Sequence, residues 1–279
     1  RRGRLKYTPR GLRGNVNVSR EHPLKEFAVL IGGLTLLILL VYALLGLLVD
    51  EAASRMPLDL ERAMGKLFTS AMDVRERTPA QMELQGILDS LVEHADLPEL
   101  QYRVYIENSP SENAGALPGG SIVVYSALIN GAATENELAF VLAHELGHYR
   151  GRDHLRGLGR GLVMVVISAA LSGSDSSVTE FLTTSLTSVE MQFSQAQESA
   201  DDTFALDLLN RRYGHTGGAT DFFKRLSEGH RSGAFQKFFS THPVPPERVE
   251  ALKERIRLMG YGLGKNTPMP VPLKGLHTE

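Results

Sequence analysis

The feature that most constrains this fold is a run of 23 residues, 27–49, without a charged side chain. A helix rises about 1.5 Å per residue, so the run is long enough to cross a hydrocarbon layer about 30 Å thick. A cleaved signal peptide is the alternative, but its apolar region is normally about 7–15 residues long and ends at a small-residue cleavage site. Residues 49–53 offer no convincing site of that kind. We therefore expect residues 27–49 to form an uncleaved transmembrane helix in contact with membrane lipid.

Basic residues are concentrated on the N-terminal side of this run. Eight precede it, and four occur in a similar length after it: Arg1, Arg2, Arg4, Lys6, Arg10, Arg13, Arg20 and Lys25, against Arg55, Arg62, Lys66 and Arg75. Because the more basic flank of a span stays in the cytoplasm, residues 1–26 are expected to be a cytoplasmic arm. The remainder of the chain would then lie outside the cytoplasm, in the periplasm if the host is bacterial.

The run His-Glu-Leu-Gly-His at residues 144–148 predicts the chemistry. Positions i and i+4 of a helix lie on one face, so both imidazoles can reach one metal ion. The helix is indicated by a capping-box pattern at 134–137, followed by apolar residues at helical spacing. Glu145 lies beside the metal, where its carboxylate could hold a metal-bound water rather than act as a ligand. This arrangement is typical of a zinc hydrolase.

A catalytic zinc needs a third protein ligand. His154 follows a loop signal and is expected to be an ordinary solvated histidine. Glu198 and Asp202 share one face of a predicted helix, so one could bind the metal while the other accepts the free N–H of a ligand imidazole. A solvated charged face is the alternative, because Asp201 indicates that this helix also carries charge for solubility. A register shifted by one residue would place Gln197, a poor zinc ligand, at the ligand position.

These motifs resemble those of the gluzincin metallopeptidases that include the type I CAAX prenyl proteases and the bacterial heat-shock protease HtpX. The resemblance covers roughly residues 76–260 and rests on four segments: HELGH at 144–148, ESADDTFALDLL at 198–209, THPVPPER at 241–248 and the strand and turn at 113–120. It implies zinc ligands His144, His148 and Glu198, one Zn²⁺ per chain, and a catalytic Glu145. The family often has Ala directly before the Asp of its Glu-x-x-x-Asp motif, whereas this chain has Asp201.

Two further roles are expected around this centre. His242 is a candidate donor to the oxyanion that forms during peptide hydrolysis, and it could equally cap the zinc in a resting state. The substrate polypeptide would lie along a short strand containing Asn113, Ala114, Gly115 and Ala116, held by main-chain hydrogen bonds. Such binding predicts loose specificity and a preference for unfolded or misassembled envelope proteins. A membrane-tethered chaperone or assembly factor with a largely non-proteolytic zinc site is the competing function.

Composition sets the wider frame. With 279 residues and 42% apolar content the chain can bury one sizeable core, and its net charge of −2 gives no reason to expect nucleic acid. Cysteine is absent, which excludes disulfides and cysteine-ligated metals. Oligomeric state is left open.

The expected fold is mainly α with a small β-sheet, an α+β class in which one N-terminal transmembrane helix precedes a zincin-like metalloprotease domain. The segments are a basic arm (1–26), the span (27–49), an amphipathic linker helix (50–75), the peptidase domain (76–260) and a flexible Pro/Gly tail (261–279). A second apolar stretch, 161–171, is too short for a comfortable crossing and is expected to be a core helix, with contact to the membrane surface as the alternative.

Overall fold

The computed structural model describes residues 23–70, 78–172, 193–229, 242 and 246–278. Most of the predicted basic arm, the end of the predicted linker helix and residues 173–192 lie outside these ranges. The chain divides into two compact units, residues 1–44 and 45–279. The described part of the first unit is a single helix.

The architecture is α+β, as predicted from the sequence, with nine helices and three strands in the described ranges. In chain order they are α1 (Pro23–Arg55), α2 (Leu58–Ser70), α3 (Pro79–Val92), β1 (Arg103–Glu107), β2 (Ala114–Leu117), β3 (Ser121–Tyr125), α4 (Ser126–Gly131), α5 (Glu135–Gly151), α6 (Asp153–Ser172), α7 (Gln195–Tyr213), α8 (Ala219–Gly229) and α9 (Pro246–Met259). A short 3₁₀ helix, Val271–Leu273, follows.

Helix α1 contains the predicted span. It is the one helix in the described ranges that is long and apolar enough to cross a membrane, with a mean hydropathy of 2.7 in its most apolar window. Its residues 27–49 are largely exposed on the protein itself, as expected of side chains that face lipid.

The sheet has the order β1-β3-β2, with β1 parallel and β2 antiparallel to β3. Strand β2, which contains most of the predicted substrate strand, is therefore at an edge of the sheet, although all four of its residues are buried. The sheet is tied to α5 by Tyr149, whose hydroxyl lies 2.5 Å from the carbonyl oxygen of Leu117 and 2.7 Å from that of Ser121. These contacts fix the position of α5 relative to the turn that joins β2 to β3.

Helix α5 is the centre of the core. Thr134 caps its first turn by accepting a hydrogen bond from the Glu137 N–H at 3.3 Å. The second half of the predicted capping box is absent, because the Glu137 carboxylate accepts from Ala133 N–H instead. Every residue from Asn136 to Tyr149 is buried, and α5 packs most extensively against α7. Arg152, in the left-handed conformation with φ 56°, ends the helix.

The tail was predicted to be flexible, and this prediction is wrong for the described residues. Leu273 is fully buried and Met269 is 7% exposed. The Asn130 side chain pairs with the backbone of Leu276 in both directions at 2.8 Å. Isolated hydrogen bonds and two apolar anchors hold the segment, and such contacts leave no periodic pattern in a sequence.

The apolar stretch 161–171 is helical, but the prediction that it is a core helix is also wrong. It forms the second half of α6, in which Leu162, Met164 and Val166 are 36–49% exposed. Apolar composition alone predicted burial here, yet no layer of the described protein covers these side chains.

Candidate metal centre

Helix α5 places three polar side chains of the motif in the interior. His144 is 3% exposed, and Glu145 and His148 are fully buried. The two imidazole rings lie with their centroids 4.9 Å apart and nearly perpendicular. The i, i+4 spacing therefore brings both rings to one point, as the sequence predicted.

Helix α7 brings a third group to that point. Glu198 is fully buried, and its carboxylate oxygens lie 3.5 Å from His144 Nε2 and 3.8 Å from His148 Nε2. Gln197 is occupied elsewhere: its side chain completes a capping box with Ser194 and donates to Asp153. The geometry thus favours the register with Glu198, rather than Gln197, beside the histidines.

Two more carboxylates of α7 approach the opposite nitrogens of the histidine rings. Asp202 Oδ1 lies 3.0 Å from His144 Nδ1, and Asp201 Oδ2 lies 2.7 Å from His148 Nδ1. Asp153, from the start of α6, is 3.8 Å from that same nitrogen. Asp201 is 4% exposed, so the prediction that it serves solubility is wrong. Each of the two neighbouring acidic residues Asp201 and Asp202 instead lies beside Nδ1 of one histidine, so that both Nε2 atoms face inward.

The donors left over fit a metal ion. Within the described ranges, both carboxylate oxygens of Glu145 and the Nε2 atom of His148 are buried without a hydrogen-bond partner. Donor atoms of His144, Glu145, His148 and His242 all lie within 4.8 Å of one another. Buried polar atoms without partners are costly, and neutral imidazoles with carboxylates form a donor set that suits zinc.

His242 contributes from outside these two helices. Its ring is 1% exposed; Nδ1 lies 2.9 Å from Glu198 Oε1 and 3.3 Å from His144 Nε2, and Nε2 lies 3.8 Å from Glu145 Oε1. The structure therefore brings this predicted residue to the centre. Its chain neighbours, residues 241 and 243–245, lie outside the described ranges.

Arg248, on α9, pairs with two of the carboxylates of α7. Its guanidinium donates to both Asp202 oxygens at 2.7 Å and to Glu198 Oε2 at 2.6 Å. Burial alone would raise the pKa of Asp202, but His144 and Arg248 hold that pKa below its ordinary value. Arg248 appeared in the sequence only as the last letter of the THPVPPER segment, and no spacing rule linked it to a helix about fifty residues earlier.

The electrostatics of the centre favour a positive charge. Burial would lower the pKa of His144, yet Asp202 and Glu198 raise it to about 9. The pKa of His148 is raised as well, against the effect of burial, chiefly by Asp201 and Asp153. Burial likewise opposes ionisation of Glu198, whose pKa is nevertheless held well below its ordinary value by His242 and His144. The same field that attracts protons here would attract a metal cation.

Phe193 contacts His148, and the sequence analysis did not predict this. Its ring stacks on that of His148, with centroids 3.8 Å apart and an interplanar angle of 19°. A lone aromatic residue just before a helix carries no sequence signal for such a role.

His154 was expected to be solvated, and this prediction is wrong. The ring is fully buried, with Nε2 2.9 Å from Glu61 Oε1 and Nδ1 3.2 Å from the carbonyl oxygen of His148. Glu61 lies on α2, far away in sequence, so the pattern around residue 154 could not reveal this partner. His154 therefore links α2 to the C-terminal end of α5, and each of its ring nitrogens lies within hydrogen-bond distance of an oxygen atom.

The predicted substrate strand packs on α5, the helix that carries His144 and His148. Asn113, Ala114, Gly115 and Ala116 are all buried, and the carbonyl oxygen of Asn113 accepts from Tyr125 N–H at 2.9 Å. The side of β2 facing away from β3 pairs with no other strand in the described ranges.

Comparison with known proteins agrees with the resemblance seen in the motifs. Residues 79–256 match the model of peptidase family M48. The metalloprotease LoiP of Escherichia coli K12 is 32% identical over 186 residues, which make up 63% of this chain and 71% of LoiP. The metalloprotease YcaL of the same strain is 29% identical over 162 residues, covering 56% of this chain and 62% of YcaL.

A third relative is longer. The beta-barrel assembly-enhancing protease of Yersinia pestis is 24% identical over 237 residues, which are 75% of this chain but 46% of that protein. This chain therefore spans about half the length of that relative.

Replacing Arg248 tests the buried charge network. In zinc-free protein, Arg248→Ala should lower the free energy of unfolding by about 3–5 kcal/mol, because two buried carboxylates lose their cation. Arg255→Ala is a matched control: it also joins α9 to α7, through a bidentate pair with Asp207, but at a more exposed position. It should cost at most about 1 kcal/mol. Chemical denaturation after chelator treatment measures both, and equal losses would contradict the assignment.

Proposed function

Because the chain belongs to peptidase family M48, and is therefore a zinc-dependent metalloendopeptidase acting on polypeptides, we propose that His144, His148 and Glu198 hold its zinc and that Glu145 is the catalytic base. The observation that carries this proposal is the convergence of Glu198 on both inward-facing Nε2 atoms, at 3.5 and 3.8 Å. The buried and unpartnered carboxylate of Glu145 beside them supports its separate role.

The proposed mechanism assigns each group one task. Zinc, when bound, supplies a Lewis acid that acidifies water and polarises the scissile carbonyl. Glu145 accepts the proton of the attacking water at its carboxylate and passes it to the leaving amine. Asp201 and Asp202 hold the histidine rings so that Nε2 of each points inward. The burial of all these groups keeps competing water away and strengthens their interactions.

His242 is assigned to the same site in one of two roles. It either donates a hydrogen bond to the oxyanion of the tetrahedral intermediate, or it caps the metal site in a resting state. The 2.9 Å contact of its Nδ1 with Glu198 supports the role as a cap on the metal site. The position of its Nε2, 3.8 Å from Glu145, supports the role as a donor to the oxyanion.

The polypeptide substrate is proposed to add itself as a strand to the outer edge of β2. Main-chain hydrogen bonds to residues 113–116 would set its register, so that backbone is recognised more than side chains. The substrates proposed are unfolded or misassembled envelope proteins, supported by similarity to a protease whose name refers to β-barrel assembly. Because β2 is buried, the part of the protein that covers it must move before a substrate can bind.

We further infer that α1 anchors the protein in a membrane, with the N-terminal arm in the cytoplasm and the peptidase domain in the periplasm of a bacterial host. The absence of native cysteines allows a direct test. Met82, which is 54% exposed on α3, can be replaced by cysteine. An impermeant maleimide should label it without disruption of the inner membrane, and labelling only after that membrane is opened would reverse the orientation.

The Glu145→Gln variant tests the enzymatic proposal. Casein digestion by purified protein should fall to the background level, because the amide cannot accept the proton, while zinc content stays at one per chain. Chelator should abolish the wild-type digestion. In the wild-type digest, mass spectrometry should find many unrelated cleavage sites, and a single strict motif would contradict recognition through the backbone.

The cellular effect of Glu145→Gln separates the two functions considered from the sequence. A protease predicts that this variant behaves like a deletion. If it instead restores the wild-type phenotype, a chaperone or assembly role is favoured.

Replacement of His242 by Phe tests its role. If this histidine stabilises the oxyanion, kcat should fall by about 10²–10³ with zinc affinity unchanged. If it caps the metal, zinc affinity should fall as well. His94→Phe, at an exposed histidine of the region after α3, is the control and should change neither quantity. Full turnover with an unchanged pH profile in His242→Phe would exclude both roles.

Asp201→Asn tests the proposed orientation of His148. Zinc affinity should fall by about 10–100-fold, because the ring loses the carboxylate that holds Nδ1. Asp207→Asn, on the same helix but away from the centre, should leave the affinity unchanged. Competition with a chromophoric chelator measures both, and identical curves for Asp201→Asn and wild type would remove Asp201 from the site.

A further inference from the structure

The second half of α6 exposes apolar side chains. Leu162, Met164 and Val166 are 36%, 49% and 49% exposed. No charged residue occurs from Gly161 to Leu171, whereas Arg156 and Arg160 lie in the turns before this stretch. A soluble domain rarely leaves such a surface in water.

The direction of α6 follows from its contacts with the end of α1. Arg152, which precedes α6, donates to the carbonyl oxygens of Ala53 and Met56 at 3.0 and 2.6 Å. Eight residues later, Arg160 donates to Asp50 at 2.5 Å. As the residue number rises along α6, the number of its partner residue falls, so α6 and the end of α1 run antiparallel here.

Close approach of the two helices strengthens this point. A Cβ atom added at Gly159 would lie 2.6 Å from Val49 Cγ1, so the backbone of α6 is packed directly on α1. On α1, residues 45, 46, 49 and 50 are half-buried and residue 53 is buried, all at helical spacing. The first two turns of α6 thus lie against residues 49–53, at the end of the apolar run of α1.

We propose that residues 161–171 embed in the lipid leaflet on the domain side of the membrane, next to the end of the α1 span. This inference rests on the proposed anchoring through α1. At about 1.5 Å per residue the stretch is roughly 17 Å long, about half of a 30 Å hydrocarbon layer, so it enters the leaflet without crossing the membrane. Lipid is favoured over a protein partner because the stretch is uncharged and begins directly after the contacts of Gly159 and Arg160 with Val49 and Asp50, at the end of the apolar run.

This contact would determine where the protease acts. Asp153 begins α6, lies 3.8 Å from His148 Nδ1 and accepts a hydrogen bond from Gln197 at the start of α7. Helix α6 therefore connects the lipid contact to the metal centre through a few residues. The substrates within reach are polypeptide segments that lie at the membrane surface, which narrows the substrate class.

Site-specific fluorescence tests the proposal in the full-length chain. Cysteine is introduced singly at Met164 or Val166, labelled with the polarity-sensitive dye NBD, and the protein is reconstituted into phosphatidylethanolamine and phosphatidylglycerol vesicles. Doxyl-labelled lipid quenches dye within the acyl chains, and iodide quenches dye in water. Met82→Cys is the water-exposed control, and Leu40→Cys, 59% exposed on α1, is the lipid control.

The expected result is loss of fluorescence with doxyl lipid at positions 164 and 166, comparable with that at Leu40→Cys, together with protection from iodide. Met82→Cys should show the reverse. Iodide quenching at 164 and 166 would overturn the proposal, and so would shielding from both quenchers, which would indicate a protein cover such as a second copy. If Leu40→Cys also escapes doxyl quenching, the proposed anchoring fails too. Casein digestion by the same samples reports separately on the protease.

Discussion

The structure depends on burying several charged side chains between two packed helices. Helices α5 and α7 bring His144, His148, Glu198, Asp201 and Asp202 into an interior where an isolated charge would be strongly unfavourable. Each group is tolerated because another compensates it: Arg248 faces Asp202 and Glu198, and an acidic residue faces each imidazole. The Glu145 carboxylate and His148 Nε2, which are buried without a hydrogen-bond partner, lie together at one point, where a cation would complete the balance.

This requirement explains local features of both helices. Gly147 stands where a Cβ atom would come within 2.8–3.0 Å of Asp201, so the small residue inside the motif permits the close contact of α5 with α7. Tyr149 fixes α5 against the sheet, and His154 joins its last turn to Glu61 on α2. The position of the metal centre is therefore determined from three sides: by the sheet, by α7 and by the helices next to the proposed membrane anchor.

The sequence predicted the parts that depend on local periodicity. The i, i+4 histidines, the capped helix that carries them and the apolar span all follow from short-range spacing. Glu198 required the family resemblance in addition, because its partners lie fifty residues away. Asp201 and His154 were misassigned to the surface, since their partners, His148 and Glu61, come from other helices and no local pattern marks them. The predictions for the tail and for α6 were wrong for opposite reasons. The tail is packed but has no periodic pattern, so it was expected to be flexible. Helix α6 is apolar but exposed, and its composition alone predicted a core helix.

Two imidazoles and one carboxylate, from two distant segments, are proposed to hold a single zinc ion. Zinc X-ray absorption spectroscopy on purified wild-type protein and on Glu198→Gln measures this most directly. We expect one zinc per wild-type chain and a coordination shell of nitrogen and oxygen that includes two imidazoles. The variant should lose one oxygen ligand or the metal itself. An unchanged spectrum and zinc content in Glu198→Gln would contradict it.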